Sequence, residues 1–260
     1  MDIALTEFDD SPTALIEPSQ VITPIDPPLA VVVCFFREVI ERLAARADAR
    51  QVVVLKAAHG HHPIWEIDVE GQRLGVFHPG VGAPLAAAFM EEAIAYGCQR
   101  FVACGGAGVL VPDLVLGHVV VVDSALRDEG TSFHYLPPGR IVNADPGSVR
   151  VVSDLLTQRE VPHLTGRTWT TDAIYRETRG KVERRRAEGC LTVEMEAAAL
   201  IAVAQFRRVP FAQLLYAGDS LAGDTWDSRA WTRAHDVREE LFWLAAAAAL
   251  RLPELAQSPT

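Results

Sequence analysis

The chain has 260 residues, 49% of them hydrophobic and 22% charged, with a formal net charge of −10. That balance fits a folded protein long enough for one α/β domain, and it excludes a typical nucleic-acid binder, which would carry a basic face. No apolar run reaches the roughly 18 uncharged residues of a membrane-spanning helix. Asp2, Glu7, Asp9 and Asp10 stand where a signal peptide requires a basic and then an apolar stretch, so a cytoplasmic protein is expected.

Residues 1–28 are rich in proline and acid, show no period and read as an extended arm; residues 29–260 read as one domain. An apolar strand begins at Leu29 and passes near Phe36 into a helix over Arg37–Arg46. Strands are predicted at Gln51–Lys56, Trp65–Val69 and Leu74–His78, the last running into the loop Pro79–Pro84. Leu85–Tyr96 is helical and Gly97 is its expected left-handed cap. A strand over Arg100–Cys104 leads into the glycine loop Gly105–Gly108, and Val119–Ser124 forms a wholly apolar strand. A helix over Val149–Arg159, a strand reaching Thr170, a helix over Glu194–Arg207, a buried strand over Phe211–Tyr216 and a last helix from about Ser228 to Leu250 complete the chain. Continuous apolar strands alternating with helices predict a mixed, mainly parallel sheet covered on both faces.

Cys34, Cys98, Cys104 and Cys190 lie far apart without a CxxC pair, which argues against a disulfide framework or zinc-finger spacing. Arg184, Arg185 and Arg186 alternate with acids and read as a solvated helix face.

In open α/β sheets ligands bind beyond the carboxyl ends of the strands. Gly80-Val81-Gly82-Ala83-Pro84 leaves such an end, and its small residues let backbone approach an anion at a helix N-terminus. A dinucleotide fingerprint is excluded there, because the third glycine and the later acidic residue are missing. Glu194 and Glu196 flank Met195 ahead of the apolar run Ala197–Ala204. One carboxylate is explained by the positive end of a helix dipole. The second is placed to accept both hydroxyl protons of a vicinal diol, with Met195 against the sugar carbons.

The stretch Val193-Glu-Met-Glu-Ala-Ala-Ala199 resembles the most specific motif of the nucleoside phosphorylase superfamily, which includes uridine phosphorylases, hexameric purine nucleoside phosphorylases and methylthioadenosine-type nucleosidases. Gly80–Pro84, Cys104–Gly108, Arg127–Ser132, Thr171–Tyr175 and Gly218-Asp219-Ser220 resemble further family segments in the same order, and the likeness covers roughly residues 30–250. It implies a nucleoside phosphorylase-like α/β fold that cleaves an N-glycosidic bond. No cofactor is implied beyond inorganic phosphate as co-substrate, and no metal. The resemblance assigns the ribose to Glu196, Met195, Glu194 and Val81, the base to Ile174 and Tyr175, and phosphate to Arg37, Gly82, Gly105 and Gly106. Asp219 matches the acid that protonates the leaving base in the purine enzymes, with Arg229 or Arg233 as its assistant, and so tilts the substrate towards purines.

Several phosphate ligands are absent. Cys34-Phe35-Phe36 replaces Gly-Asp-Pro, Ala103 replaces an arginine, and Gly106 replaces a hydroxyl residue. Arg127, or His59, His61 and His62, are the candidates to compensate. Phosphorolysis is the leading expectation; hydrolysis by water and a weakly catalytic nucleoside sensor are its rivals. The resemblance also implies a homo-oligomer, a dimer or a trimer of dimers, in which the segment from His59 to Trp65 reaches a neighbouring site.

Overall fold

A computed structural model describes residues 3–58 and 60–254. The stretch read as an arm carries a 3-10 turn at Ala4–Thr6 and one helical turn, α1 (Pro18–Val21), closed by a reciprocal capping box between Glu17 and Gln20. It is tied to the body by ion pairs from Glu17 to Arg207 at 3.1 Å and from Asp26 to Arg73 at 2.8 Å.

The strand β1 (Ala30–Cys34) is buried at every residue, as expected of an interior strand, and leads into α2 (Arg37–Ala44). A meander of β2 (Arg50–Ala57), β3 (Gly60–Val69) and β4 (Gln72–Phe77) follows, then α3 (Ala83–Tyr96). Next in order are β5 (Arg100–Val109), β6 (Val119–Asp128), β7 (Ile141–Asn143), α4 (Pro146–Gln158) and β8 (His163–Thr171). The chain continues through α5 (Arg179–Ala187), β9 (Cys190–Glu194), α6 (Ala197–Arg207), β10 (Phe211–Ser220) and α7 (His235–Ala249).

The ten strands form one sheet with the order β10-β6-β8-β9-β5-β1-β4-β3-β2, in which β7 pairs with β6. An additional pairing of β10 with β5 closes β5, β10, β6, β8 and β9 into a ring, from which β1, β4, β3 and β2 extend as a leaf. Of the ten pairings, five are parallel and five antiparallel, so the sheet is mixed rather than mainly parallel. Two features account for this. The β2–β4 meander needs only short antiparallel connections, and β9 meets β5 head-on where the ring closes.

One core lies between the sheet and α3 with α6; a second lies under α2, α4 and α7. All eight residues from Ala197 to Ala204 are buried, five of them alanines, and these small side chains let α6 lie close against sheet and α3.

Predicted boundaries shift at three places that bear on the site. The glycine segment after Cys104 is strand, because β10 and β9 pair with it through Val109. Glu194 ends a strand rather than opening a helix. The last helix starts at His235, after a Ser220–Asp227 bridge and a 3-10 turn at Trp231–Arg233.

Candidate active site

The junction between β9 and α6 is built around two buried carboxylates. Glu194 Oε2 accepts the backbone N–H groups of Glu196 at 2.8 Å and Ala197 at 2.6 Å, and its Oε1 accepts the Thr170 hydroxyl at 2.7 Å. Thr170 Oγ1 in turn accepts the Ala198 N–H at 3.0 Å. Glu194 therefore satisfies the first donors of α6, the helix-end role expected of one of the two acids, and does so as a support for its neighbour.

Glu196 is the neighbour it supports. Its Oε1 accepts the Gly82 N–H at 2.6 Å and its Oε2 the Met195 N–H at 3.3 Å. The bond from Gly82 locks the first glycine loop onto the carboxylate. When the group is ionised, each oxygen keeps a lone pair beyond the one engaged by backbone, which gives two adjacent acceptors matched to the two hydroxyls of a vicinal diol. Burial pushes the Glu196 carboxyl up to about 8, and the charge of Glu194 adds to the rise. Burial also lifts Glu194, to about 7, against the three hydrogen bonds it accepts.

Asp219 stands near the end of β10. Its Oδ2 accepts the indole N–H of Trp226 at 2.6 Å, which is the assisting contact actually present; Arg229 instead donates to the Leu114 carbonyl at 2.8 Å. The opposite wall is Gly108 of β5. A Cβ there would lie 2.8 Å from Leu221 Cδ1, 2.9 Å from Val193 Cγ1 and 3.7 Å from Asp219 Oδ1. The absence of a side chain at Gly108 thus lets Leu221 and Val193 pack closely beside Asp219 where the ends of β5, β9 and β10 converge. Trp226, the partner of Asp219, also borders a chamber of about 440 Å³ together with Glu177, Arg179, Arg186, Leu221 and Asp224. Burial, with a smaller contribution from the charge of Asp219, raises the Glu177 carboxyl to about 7.

Other expected ligands are distributed less favourably. Met195 is half-buried at the β9–α6 turn, and Val81 is 66% exposed at the rim. Ile174 and Tyr175 sit on a one-turn helix and are 53% and 95% exposed, whereas Glu177, two residues on from Tyr175, borders the chamber. Gly105 lies under the Phe35 ring and Gly106 beside the Tyr216 ring, so aromatic side chains cover both strand glycines. Arg37 opens α2, but its side chain is 84% exposed and bonded to Glu41 at 2.7 Å. Its charge still reaches His78, at the end of β4.

Arg127 does not compensate for the missing phosphate ligands. It is buried, donates to the Ser132 hydroxyl and to the carbonyls of Pro137 and Leu136, and lies over the Phe133 ring, where it holds the turn after β6. Of the histidine cluster, His59 lies outside the described residues. His61 and His62 lie on β3 rather than in a loop, and His62 packs on Phe89 with ring centroids 4.8 Å apart and bonds the His78 carbonyl. His78 accepts the Gly80 N–H on Nδ1 at 3.0 Å, and burial pushes its pKa down to about 4, so its ring is neutral with the proton on Nε2. Among the described residues no group of three or more His, Cys, Asp or Glu side chains is arranged to hold a metal. Nor is any helix among them long and apolar enough to cross a membrane.

Sequence reasoning gave Glu177, Trp226 and Gly108 no role of their own. Gly108 was visible as the last of a glycine run. Glu177 and Trp226 follow no local pattern, because their roles depend on α5 and β10 converging far from either in sequence.

The sequence profile of the phosphorylase superfamily matches residues 30–252. A guanosine phosphorylase of Halorubrum lacusprofundi is 28% identical over 64% of this chain and 68% of its own length. A uridine phosphorylase of Salmonella typhimurium is 25% identical over 63% and 69%. Among solved structures, a uridine phosphorylase from Vibrio fischeri superposes with a TM-score of 0.72 at 22% identity, covering 86% of this chain and 90% of that one. An AMP nucleosidase from Bacteroides thetaiotaomicron gives 0.70 at 20% identity over 88% and 90%. The chain belongs to the phosphorylase superfamily and has its single α/β fold. It is an enzyme of that family's pentosyl-transfer type.

Proposed function

We propose that the protein cleaves the N-glycosidic bond of a purine ribonucleoside, passing the ribosyl group to phosphate. The carrying observation is the pairing of two carboxylates at one end of the sheet. Glu196 is pinned by Gly82 and Met195 with acceptors left over for a diol, and Asp219 stands across Gly108 with Oδ2 held by Trp226. In this reading Glu196 binds the 2′- and 3′-hydroxyls, Met195 packs on the sugar, and Asp219 passes a proton to the departing base as positive charge develops on the ribosyl carbon. A nucleoside sensor needs the first carboxylate but not the second.

Phosphate is the acceptor that the relatives' names support. The Arg37–Glu41 pair is an exposed i,i+4 contact, worth about 0.3–0.5 kcal/mol, so turning Arg37 inward towards the glycine loops is inexpensive. Hydrolysis is the second reading, and a specific observation favours it. The Gly82 N–H is engaged by Glu196 and the Gly80 N–H by His78, so two loop donors are already committed. Incubation with a panel of nucleosides, with and without phosphate, tests both. Base release together with ribose 1-phosphate establishes phosphorolysis, unphosphorylated ribose establishes hydrolysis, and no base release from any nucleoside overturns the proposal.

A further inference from the structure

The glycine loop between β4 and α3 delivers one backbone N–H, that of Gly82, to Glu196 Oε1 at 2.6 Å. Its glycines alone do not ensure this. Gly80 and Gly82 have positive φ, 81° and 96°, in a region that glycine enters and leaves freely. Two side chains restrict Gly80. Leu85, in the first turn of α3, lies so close that a Cβ at Gly80 would stand 2.1 Å from Leu85 Cδ2. His78 accepts the Gly80 N–H on Nδ1 at 3.0 Å. That is a bond to the backbone two residues on, the one with which Asn and Asp side chains close a turn.

His78 is itself held by its neighbours. Its carbonyl meets Nδ1 of His62 at 3.0 Å, and the His62 ring packs on Phe89 of α3 with centroids 4.8 Å apart. Its ring stands edge-on to that of Phe35, the residue after β1, with centroids 6.1 Å apart and planes at 70°. The Phe35 backbone hydrogen-bonds the imidazole in the sense that favours protonation, as a carbonyl accepting the ring N–H does. One side chain thus joins the segment after β1 to the loop after β4.

We infer that His78 is a positioning residue for the ribose end of the site: its Nδ1, as a hydrogen-bond acceptor, sets the turn at Gly80 so that the Gly82 N–H reaches Glu196. The kinetic consequence rests on the reading of Glu196 as the ribose ligand, whereas the link from His78 to Glu196 is measurable without substrate.

The link has a titration signature. The Gly82 N–H favours the ionised form of Glu196, against burial and the charge of Glu194. Loss of that bond raises the pH at which Glu196 ionises, and with it the pH at which two free acceptors meet the diol. Glu194 is the charged group that bears directly on Glu196, and Glu129 bears on Glu194. Around His78 the corresponding groups are His62, Arg37 and Glu38. His78, pushed down to about 4, stays neutral where Glu196 titrates, so a midpoint displaced in that range belongs to the carboxyl.

Two substitutions separate the acceptor from the ring. His78→Asn keeps an acceptor oxygen at the turn and gives up the imidazole; His78→Phe keeps a ring and gives up the acceptor. Ionisation of Glu196 is followed by carbon NMR of the unliganded whole chain, labelled in its glutamate carboxyls, with Glu196→Gln assigning the signal. KM and kcat for the best-cleaved nucleoside are measured alongside. His78→Phe is expected to move the Glu196 midpoint up by about half a pH unit or more. It is also expected to raise the KM for nucleoside about tenfold, with a smaller change in kcat. His78→Asn is expected to keep the wild-type midpoint and a KM within about threefold of wild type. His78→Ala replaces the Phe variant if that one does not fold. A midpoint displaced in His78→Phe and restored in His78→Asn supports the inference even if no nucleoside is cleaved, an outcome that overturns the proposed function alone. A midpoint unmoved in His78→Phe, or moved as far in His78→Asn, overturns the inference and leaves the proposed function standing.

Discussion

The indole N–H of Trp226 meets Oδ2 of Asp219 at 2.6 Å, and this contact fixes how the acid is presented: Oδ1 is the oxygen beside Gly108. Asp219→Asn keeps the shape and removes the proton. Its kcat on purine nucleosides is expected to fall about 10²–10⁴-fold with little change in KM. Trp226→Phe keeps the ring and deletes the bond, so the acid remains but is no longer aimed, and a smaller loss of about tenfold is expected. Steady-state kinetics on both variants check the pair. An unchanged kcat in Asp219→Asn removes that residue from the chemistry.

Glu196→Gln is expected to lose most activity while the protein stays folded, because the carboxyl can shed its proton on binding the diol and accept both hydroxyls, whereas an amide offers one acceptor and an N–H donor. The variant also carries a stability signature. Burial and Glu194 raise the folded carboxyl from its ordinary value of 4.5 to about 8, so the folded state holds a proton that the unfolded chain has released. The corresponding stabilisation is complete below about 4.5 and is lost as pH rises to about 8. Gln cannot ionise, so the difference in Tm, mutant minus wild type, is expected to climb between pH 5 and pH 9. A flat difference, measured by calorimetry, contradicts the buried-acid description.

Arg37→Ala is expected to raise the KM for phosphate about tenfold or more and to leave the KM for nucleoside nearly unchanged, since the ion pair it gives up in the unliganded protein is the exposed one with Glu41. Initial rates over a phosphate series give the answer. Full activity in phosphate-free buffer, indifferent to Arg37→Ala, moves the protein to the hydrolytic reading.

A homo-oligomer, at least a dimer, is expected at micromolar concentration. Leu15, Ile16 and Val21 in the N-terminal arm, and Tyr175 ahead of α5, are exposed apolar or aromatic groups on the single chain. Light scattering in line with size exclusion measures the mass; a monomer contradicts this.

Much of the site was legible in the sequence because its residues lie in short runs with their own physics. Glu194-Met195-Glu196 ahead of an alanine-rich helix announced two acids at a strand–helix junction, and one does serve the helix end while the other is left for ligand. Strand and helix order was likewise carried by apolar runs such as Ala30–Cys34 and Phe211–Tyr216. Ring closure by β10 on β5, and the antiparallel meeting of β9 with β5, depend on contacts between segments about 80 to 110 residues apart that no local pattern encodes. The side chains around Asp219 illustrate the same limit. Ile174 and Tyr175 have the composition of a base pocket yet stand in solvent, while Glu177 is brought to the chamber by the path of the chain into α5. Arg127, a charged residue at a strand end, was a reasonable anion ligand until the carbonyls of Leu136 and Pro137 claimed its donors.

The central claim is that Glu196 and Asp219 form one purine nucleoside-cleaving site. It is tested most directly by following base release from guanosine and inosine in phosphate buffer, with the sugar product identified by mass, for the wild type, Glu196→Gln and Asp219→Asn. The expected result is base and ribose 1-phosphate from the wild type, with turnover lowered at least a hundredfold in each variant. Base release that survives both substitutions, or none from any nucleoside with the wild type, would contradict it.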